Sequence, residues 1–111
     1  MSKSTIALEA QLSFICDEVG REVPLQTIRT FLFVAHVGSC NQKQIEEALG
    51  LSNASASRNV SYWTSIRFDH KPGMNFIARV EDPNDRRFRI LTLTKTGRDF
   101  MDRLRKSSGG A

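Results

Sequence analysis

Apolar positions along this chain recur first at helical spacing and later at strand spacing. Ser4 can cap a helix from Thr5 to Val19, in which Ile6, Leu8, Leu12, Phe14 and Ile15 supply apolar residues before Gly20 stops it. That apolar surface is broad for one buried face. Pro24 starts a second helix, with Leu25, Ile28, Leu32 and Ala35 at i, i+3, i+7 and i+10, Phe31, Phe33 and Val34 filling in, and Gly38 ending it. Its nearly unbroken apolar run from Phe31 to Val37 predicts a place at the centre of the core. Two short helices follow: Asn41 caps the first, Gly50 supplies a left-handed residue after it, and Ser52 caps the second, with Ile45, Ala48, Leu49 and Leu51 pointing inward.

Residues Ile66 to Asn75, with Pro72-Gly73, read as a turn-rich connector. The spacing then becomes that of strands. Phe76 to Val80 and Arg87 to Leu93 are rich in β-branched and aromatic residues, and Asp82-Pro83-Asn84-Asp85 between them predicts a hairpin turn. Thr94 caps a last helix from Lys95 to about Arg105, with Phe100, Met101 and Leu104 apolar, and the small, polar residues 106–111 are expected to form a disordered tail. The fold class is therefore mainly α with a small β-hairpin, a winged helix-turn-helix. One domain is expected over residues 1–105, with the helix-turn-helix over 41–66, the wing over 76–93 and terminal helices over 5–19 and 95–105.

The second helix of the turn motif carries the first candidate chemistry. Ala56, Val60 and Trp63 form its buried stripe at i, i+4 and i+7, and the opposite face presents Ala54, Arg58, Ser61 and Ser65, flanked by Ser55, Ser57 and Tyr62. Small side chains let a helix sit deep in a DNA major groove roughly 12 Å wide, while Ser, Asn and Arg offer donors and acceptors to base edges and phosphates. The hairpin carries the second: Arg86, Arg87 and Arg89 place cations where the turn protrudes.

Charge sharpens this picture. The net charge of +4 conceals a division: residues 1–50 hold four cations and six anions, whereas residues 51–111 hold twelve cations and six anions. The positive half contains the hairpin, which favours a polyanionic partner. The remaining composition, 40% hydrophobic and 25% charged, is that of a soluble globular protein. No apolar run approaches the roughly 20 residues needed to cross a bilayer, and no secretory signal opens the chain, so a cytoplasmic, nucleoid-associated location is expected. Cys16 and Cys40 lack metal or disulfide spacing and are expected to be buried, reduced thiols; His36 and His70 show no ligand spacing either. Neither a metal nor a cofactor is expected, and no catalytic constellation points to an enzyme.

Gln44-Ile45-Glu46-Glu47-Ala48-Leu49-Gly50-Leu51-Ser52, then Ser57-Arg58, then Asp82-Pro83-Asn84-Asp85-Arg86-Arg87 followed by Leu91-Thr92-Leu93-Thr94-Lys95-Thr96-Gly97, resemble the MarR family of bacterial regulators over about Leu25 to Leu104. The resemblance implies that Asp85 braces Arg87 at the wing tip, and that the wing arginine enters a minor groove beside the major groove holding the recognition helix. It also implies a homodimer built through the terminal helices. Some regulators of this kind sense peroxide through an N-terminal-helix cysteine, which singles out Cys16, although no activating cation or base is adjacent in sequence.

Two departures stand out. The segment between Trp63 and Asp85 is several residues longer than the family pattern, with the surplus around Arg67 to Gly73, and both terminal helices are short. A minimal version of phage or plasmid type is expected, with no small-molecule effector pocket. The leading reading is a sequence-specific regulator of double-stranded DNA, with Gln42, Lys43, Asn53, Ser55, Ser57, Arg58, Ser61, Tyr62, Arg86, Arg87 and Arg89 at the interface. The alternative is a winged-helix adaptor in a transcription or replication complex, using the first helix with Tyr62, Phe68 and Met74 as its contact patch.

Overall fold

Side-chain caps set most of the helix borders in the computed structural model, which describes residues 2–67 and 69–108. Helix α1 spans Lys3–Glu18, α2 Leu25–Val37, α3 Gln42–Leu49, α4 Asn53–Trp63 and α5 Lys95–Lys106; the strands are β1 Ser39–Cys40, β2 Ile77–Asp82 and β3 Asp85–Leu93. Asn41 and Gln44 form a reciprocal capping box, Ser52 accepts from the Ser55 amide at 3.1 Å, and Thr94 accepts from the Gly97 amide at 3.0 Å. The first helix departs from expectation. Ser2, not Ser4, is its cap, accepting from the Thr5 amide at 3.2 Å, so the helix starts two residues earlier than predicted.

Helix α2 is rotated relative to its expected apolar stripe. The buried residues are Thr27, Thr30, Phe31 and Val34, while Leu25 is 70% exposed and Leu32 is also at the surface. Hydrogen bonding makes the threonines suitable for burial: the Thr30 hydroxyl donates to the Gln26 carbonyl at 2.8 Å, and the Thr27 hydroxyl to Asn59 Oδ1 at 2.6 Å. Trp63 Nε1 donates to the Thr27 carbonyl at 2.7 Å and completes the lock between α2 and α4. Around it, Phe31, Trp63, Phe76 and Phe100 pack with ring centroids 4.8 to 5.7 Å apart. The expected α4 stripe of Ala56, Val60 and Trp63 is buried in this core. Ala48, expected inside, is exposed; of the turn motif's apolar residues Ile45 is fully buried and Leu49 and Leu51 half-buried.

The sheet has the antiparallel order β1-β3-β2, with Ser39 opposite Thr92 and Ile77 opposite Leu93. Strand β1, only two residues long, is too short to leave a periodic signal in the sequence. Gly97 lets α5 lie against the start of the wing, since a Cβ there would stand 2.2 Å from the Phe76 carbonyl oxygen. Gly73 has the same role in the connector, where a Cβ would stand 1.9 Å from the Thr64 carbonyl oxygen. Lys106, expected in a disordered tail, is the last residue of α5, and Ser107 caps it with its hydroxyl donating to the Leu104 carbonyl at 2.6 Å. The rest of the expected tail from Gly109 onward, and the proposed contact residue Phe68, lie outside the described residues.

Candidate nucleic-acid interface

The turn between α3 and α4 is tied at both ends. Gly50 adopts φ 67°, reversing the chain, and Glu46 then accepts from Gln42 Nε2 and from Asn53 Nδ2, each at 3.3 Å. Gln42 Nε2 also lies 3.4 Å from the Asn53 carbonyl. One carboxylate thus aligns the first turns of both helices, whose unpaired amides and dipoles favour anions.

Along α4, Asn53, Ala54 and Arg58 are exposed, and Ser55, Ser57 and Tyr62 are half-buried. Ser61 is a correction: it is 5% exposed, with its hydroxyl 3.4 Å from the Ile66 carbonyl. Periodicity assigned it to the outer face, but the connector folds back over the end of α4, with the Met74 amide donating to the Tyr62 carbonyl at 3.3 Å. Ser55 faces Asn59, whose Nδ2 donates to the Ser55 carbonyl at 2.8 Å and contacts its hydroxyl at 3.3 Å.

On the wing, residues two apart share a face, and β3 changes character along one face. Leu93 and Leu91 point to the core; Arg89 and Arg87 continue the same row beyond it. On β2 the matching row runs from buried Ile77 to Arg79. Asp85 holds Arg87 by three contacts: Nε to Oδ1 at 3.0 Å, Nη2 to Oδ2 at 2.9 Å, and the Arg87 amide to Oδ1 at 3.1 Å. The Arg87 guanidinium, followed by its backbone amide, holds the Asp85 carboxyl below its ordinary range, and Asp85 raises Arg87 in turn. Both groups therefore stay charged at neutral pH. Arg86 points elsewhere, 3.6 Å from Glu81, and Arg89 Nη1 donates to the Arg86 carbonyl at 3.1 Å.

Helix α3, the start of α4 and the wing enclose a cleft of about 510 Å³. Of the residues singled out by sequence, it gathers Gln42, Lys43, Asn53, Ser57, Arg87 and Arg89. Four cations line it, Lys43, Arg79, Arg87 and Arg89, against the carboxylate of Glu46. Arg79 is the cation of this cleft that the sequence does not single out. Its signal was its place two residues after Ile77, which puts it on the core-facing row, and desolvation there lowers its pKa from the ordinary arginine value. Arg58 and Tyr62 are not in this cleft; they line a second one, of about 650 Å³, on the other flank of α4.

The cysteines differ from each other. Cys40 is buried, as expected, and burial pushes its thiol up to about 11; Cys16, expected to be buried, is exposed because α1 is covered on only part of its surface. Among the described residues no group of three His, Cys, Asp or Glu side chains could hold a metal ion, and no helix is long and apolar enough to cross a membrane.

No protein-family model matches the sequence, and no curated protein matches it. Solved structures do. RV1404 from Mycobacterium tuberculosis superposes with a TM-score of 0.72 at 22% identity, covering 95% of this chain and 65% of that one, so the chain spans less than two thirds of that protein's length. The transcriptional regulator Tm0710 from Thermotoga maritima gives a TM-score of 0.74 at 14% identity over 95% of this chain and 66% of that one. A cysteine-to-serine mutant of MarR from E. coli, complexed with operator DNA, gives 0.69 at 11% identity over 96% of this chain and 69% of that one. In its helices, its three-stranded sheet and their order, this chain has a MarR-like winged helix-turn-helix fold.

Proposed function

We propose that this chain is a transcriptional regulator that binds double-stranded DNA as a homodimer, with α4 in a major groove and the wing tip in the adjacent minor groove. The observation that carries the reading is the cleft in which Lys43, Arg79, Arg87 and Arg89 face the aligned starts of α3 and α4. Phosphate oxygens match that combination of fixed cations and outward backbone amides, and a bulky cation at a wing tip matches the negative potential of a narrow minor groove. The MarR structure with operator DNA shares this fold, which supports the same choice of ligand.

Dimerisation is supported by α1. Leu8, Leu12 and Ile15 form an i, i+4, i+7 row of which Ile15 alone is covered, leaving Leu8 58% and Leu12 42% exposed. The C-terminal half of α1 is anchored through Phe14 against Phe100 and the ion pair of Glu18 with Arg103. A two-fold partner would cover the row and present two recognition helices to half-sites about 34 Å apart.

Fluorescence anisotropy with selected and random duplexes over a salt series tests the DNA reading. Arg87→Ala should weaken both duplexes alike and make the slope of log affinity against log salt shallower by about 0.9, the value of one phosphate contact. Arg58→Ala should instead reduce the ratio between selected and random duplexes. Wild-type protein with no salt-dependent duplex binding would end the proposal.

A further inference from the structure

The connector between α4 and β2 repeats the wing's construction in miniature. An antiparallel bridge pairs Ile66 with Pro72, and the Arg67 amide donates to the Lys71 carbonyl at 2.8 Å, closing a small hairpin. Within it, Asp69 accepts from Arg67 Nη2 at 3.2 Å and from the Lys71 amide at 3.2 Å. Asp85 binds the side chain of an arginine two positions away and the amide of the residue two positions on, and Asp69 does the same. The Arg67 guanidinium is steered a second time by the Tyr62 ring, 5.3 Å from its centroid.

This braced arginine lines the second cleft, together with Arg58 from α4 and Arg21 from the loop before α2, against Glu22. Ser57 and Arg58 are successive residues, about 100° apart around a helix, so the outer crest of α4 runs between an arginine-lined cleft on each flank. A helix lying in a major groove has a phosphate strand on each side. We propose that the connector is a second arginine finger, which with Arg21 contacts the phosphate strand on the flank of α4 away from the wing. The inference rests on the duplex-binding reading and adds a second backbone contact to it.

Hydroxyl-radical footprinting on a selected duplex, paired with anisotropy over a salt series, tests the contact. Arg67→Gln and Arg21→Gln should each make the salt slope shallower by about 0.9 and weaken selected and random duplexes by the same factor. Each should also lose backbone protection on the side of the half-site opposite the segment lost in Arg87→Gln. Asp69→Asn loosens the brace on Arg67 and should weaken binding to both duplexes by the same factor; its circular dichroism and that of the arginine variants should match wild type. Unchanged slope and footprint in both arginine variants, while Arg87→Gln alters both, would overturn the second finger and leave the duplex reading standing. Wild-type protein that binds no duplex would overturn both.

Discussion

Gly97→Ala brings two opposing effects onto one atom. Gly97 is the third residue of α5, where alanine gains about 1 kcal/mol in helix propensity over glycine. The added methyl, however, would stand 2.2 Å from the Phe76 carbonyl oxygen and 3.1 Å from the Phe76 Cα. Relief requires a shift of about 1 Å, since non-bonded carbon contacts settle near 3.5 Å. The backbone at Phe76 has little freedom to move: its amide donates to the Trp63 carbonyl at 2.7 Å, its carbonyl accepts from the Thr94 amide at 2.9 Å, and its ring stacks on both Trp63 and Phe100. Overpacking of this kind costs about 1–3 kcal/mol, and stretching a backbone hydrogen bond adds about 1 kcal/mol. Net destabilisation of about 1–3 kcal/mol is expected, lowering Tm by about 4 °C or more for each kcal/mol at this size. Thermal unfolding followed by circular dichroism measures it, with Gly20→Ala as the control, because a Cβ there meets only the Val23 side chain at 3.2 Å. A Tm for Gly97→Ala equal to or above wild type would refute the close packing of α5 on the wing root.

Four further outcomes are expected. Asp85→Asn should reduce duplex affinity several-fold by freeing Arg87 from its fixed geometry. Because the Asp85 pKa is lowered by Arg87, the brace should be fully present above the ordinary carboxylate range and be lost only as pH falls through the depressed value; a loss of wing-dependent binding between pH 8 and 6 would contradict this. Arg79→Gln should make the salt slope shallower by about 0.9 with no change in Tm beyond about 2 °C, since its guanidinium lines the cleft and the core is untouched. Leu12→Glu should shift the chain to monomer in light scattering at tens of micromolar while leaving its helical content intact; persistence of the wild-type assembly would move the interface off α1.

Caps and turns were legible in the sequence because they act over three or four residues. Asn41, Ser52 and Thr94 cap where their side chains predict, and Gly50 takes the left-handed conformation that its place after Leu49 demands. The hairpin was equally plain, since β-prone runs on either side of Asp-Pro-Asn-Asp leave little else to form. Misreadings arose where burial is decided by a distant partner. Leu25 and Leu32 looked more apolar than Thr27 and Thr30, but Trp63 and Asn59 hydrogen-bond to Thr27 and turn that face inward. Ser61 belongs to the polar face by period, and is covered because the connector returns over it.

The sequence alone determined the five helices and the two wing strands, where the positive charge lies, and that an aspartate stands two residues from a wing arginine; these follow from short-range sterics, capping and composition. Only the tertiary structure decided that Arg79 joins Lys43, Arg87 and Arg89 in one cleft, that Arg58 turns to another, and that Arg67 has a brace like that of Arg87. Local propensity governs a residue through its neighbours in the chain. Which cations share a cleft depends instead on strand register and helix rotation, both set by the packing of Phe31, Trp63, Phe76 and Phe100, residues as much as 69 positions apart in the chain.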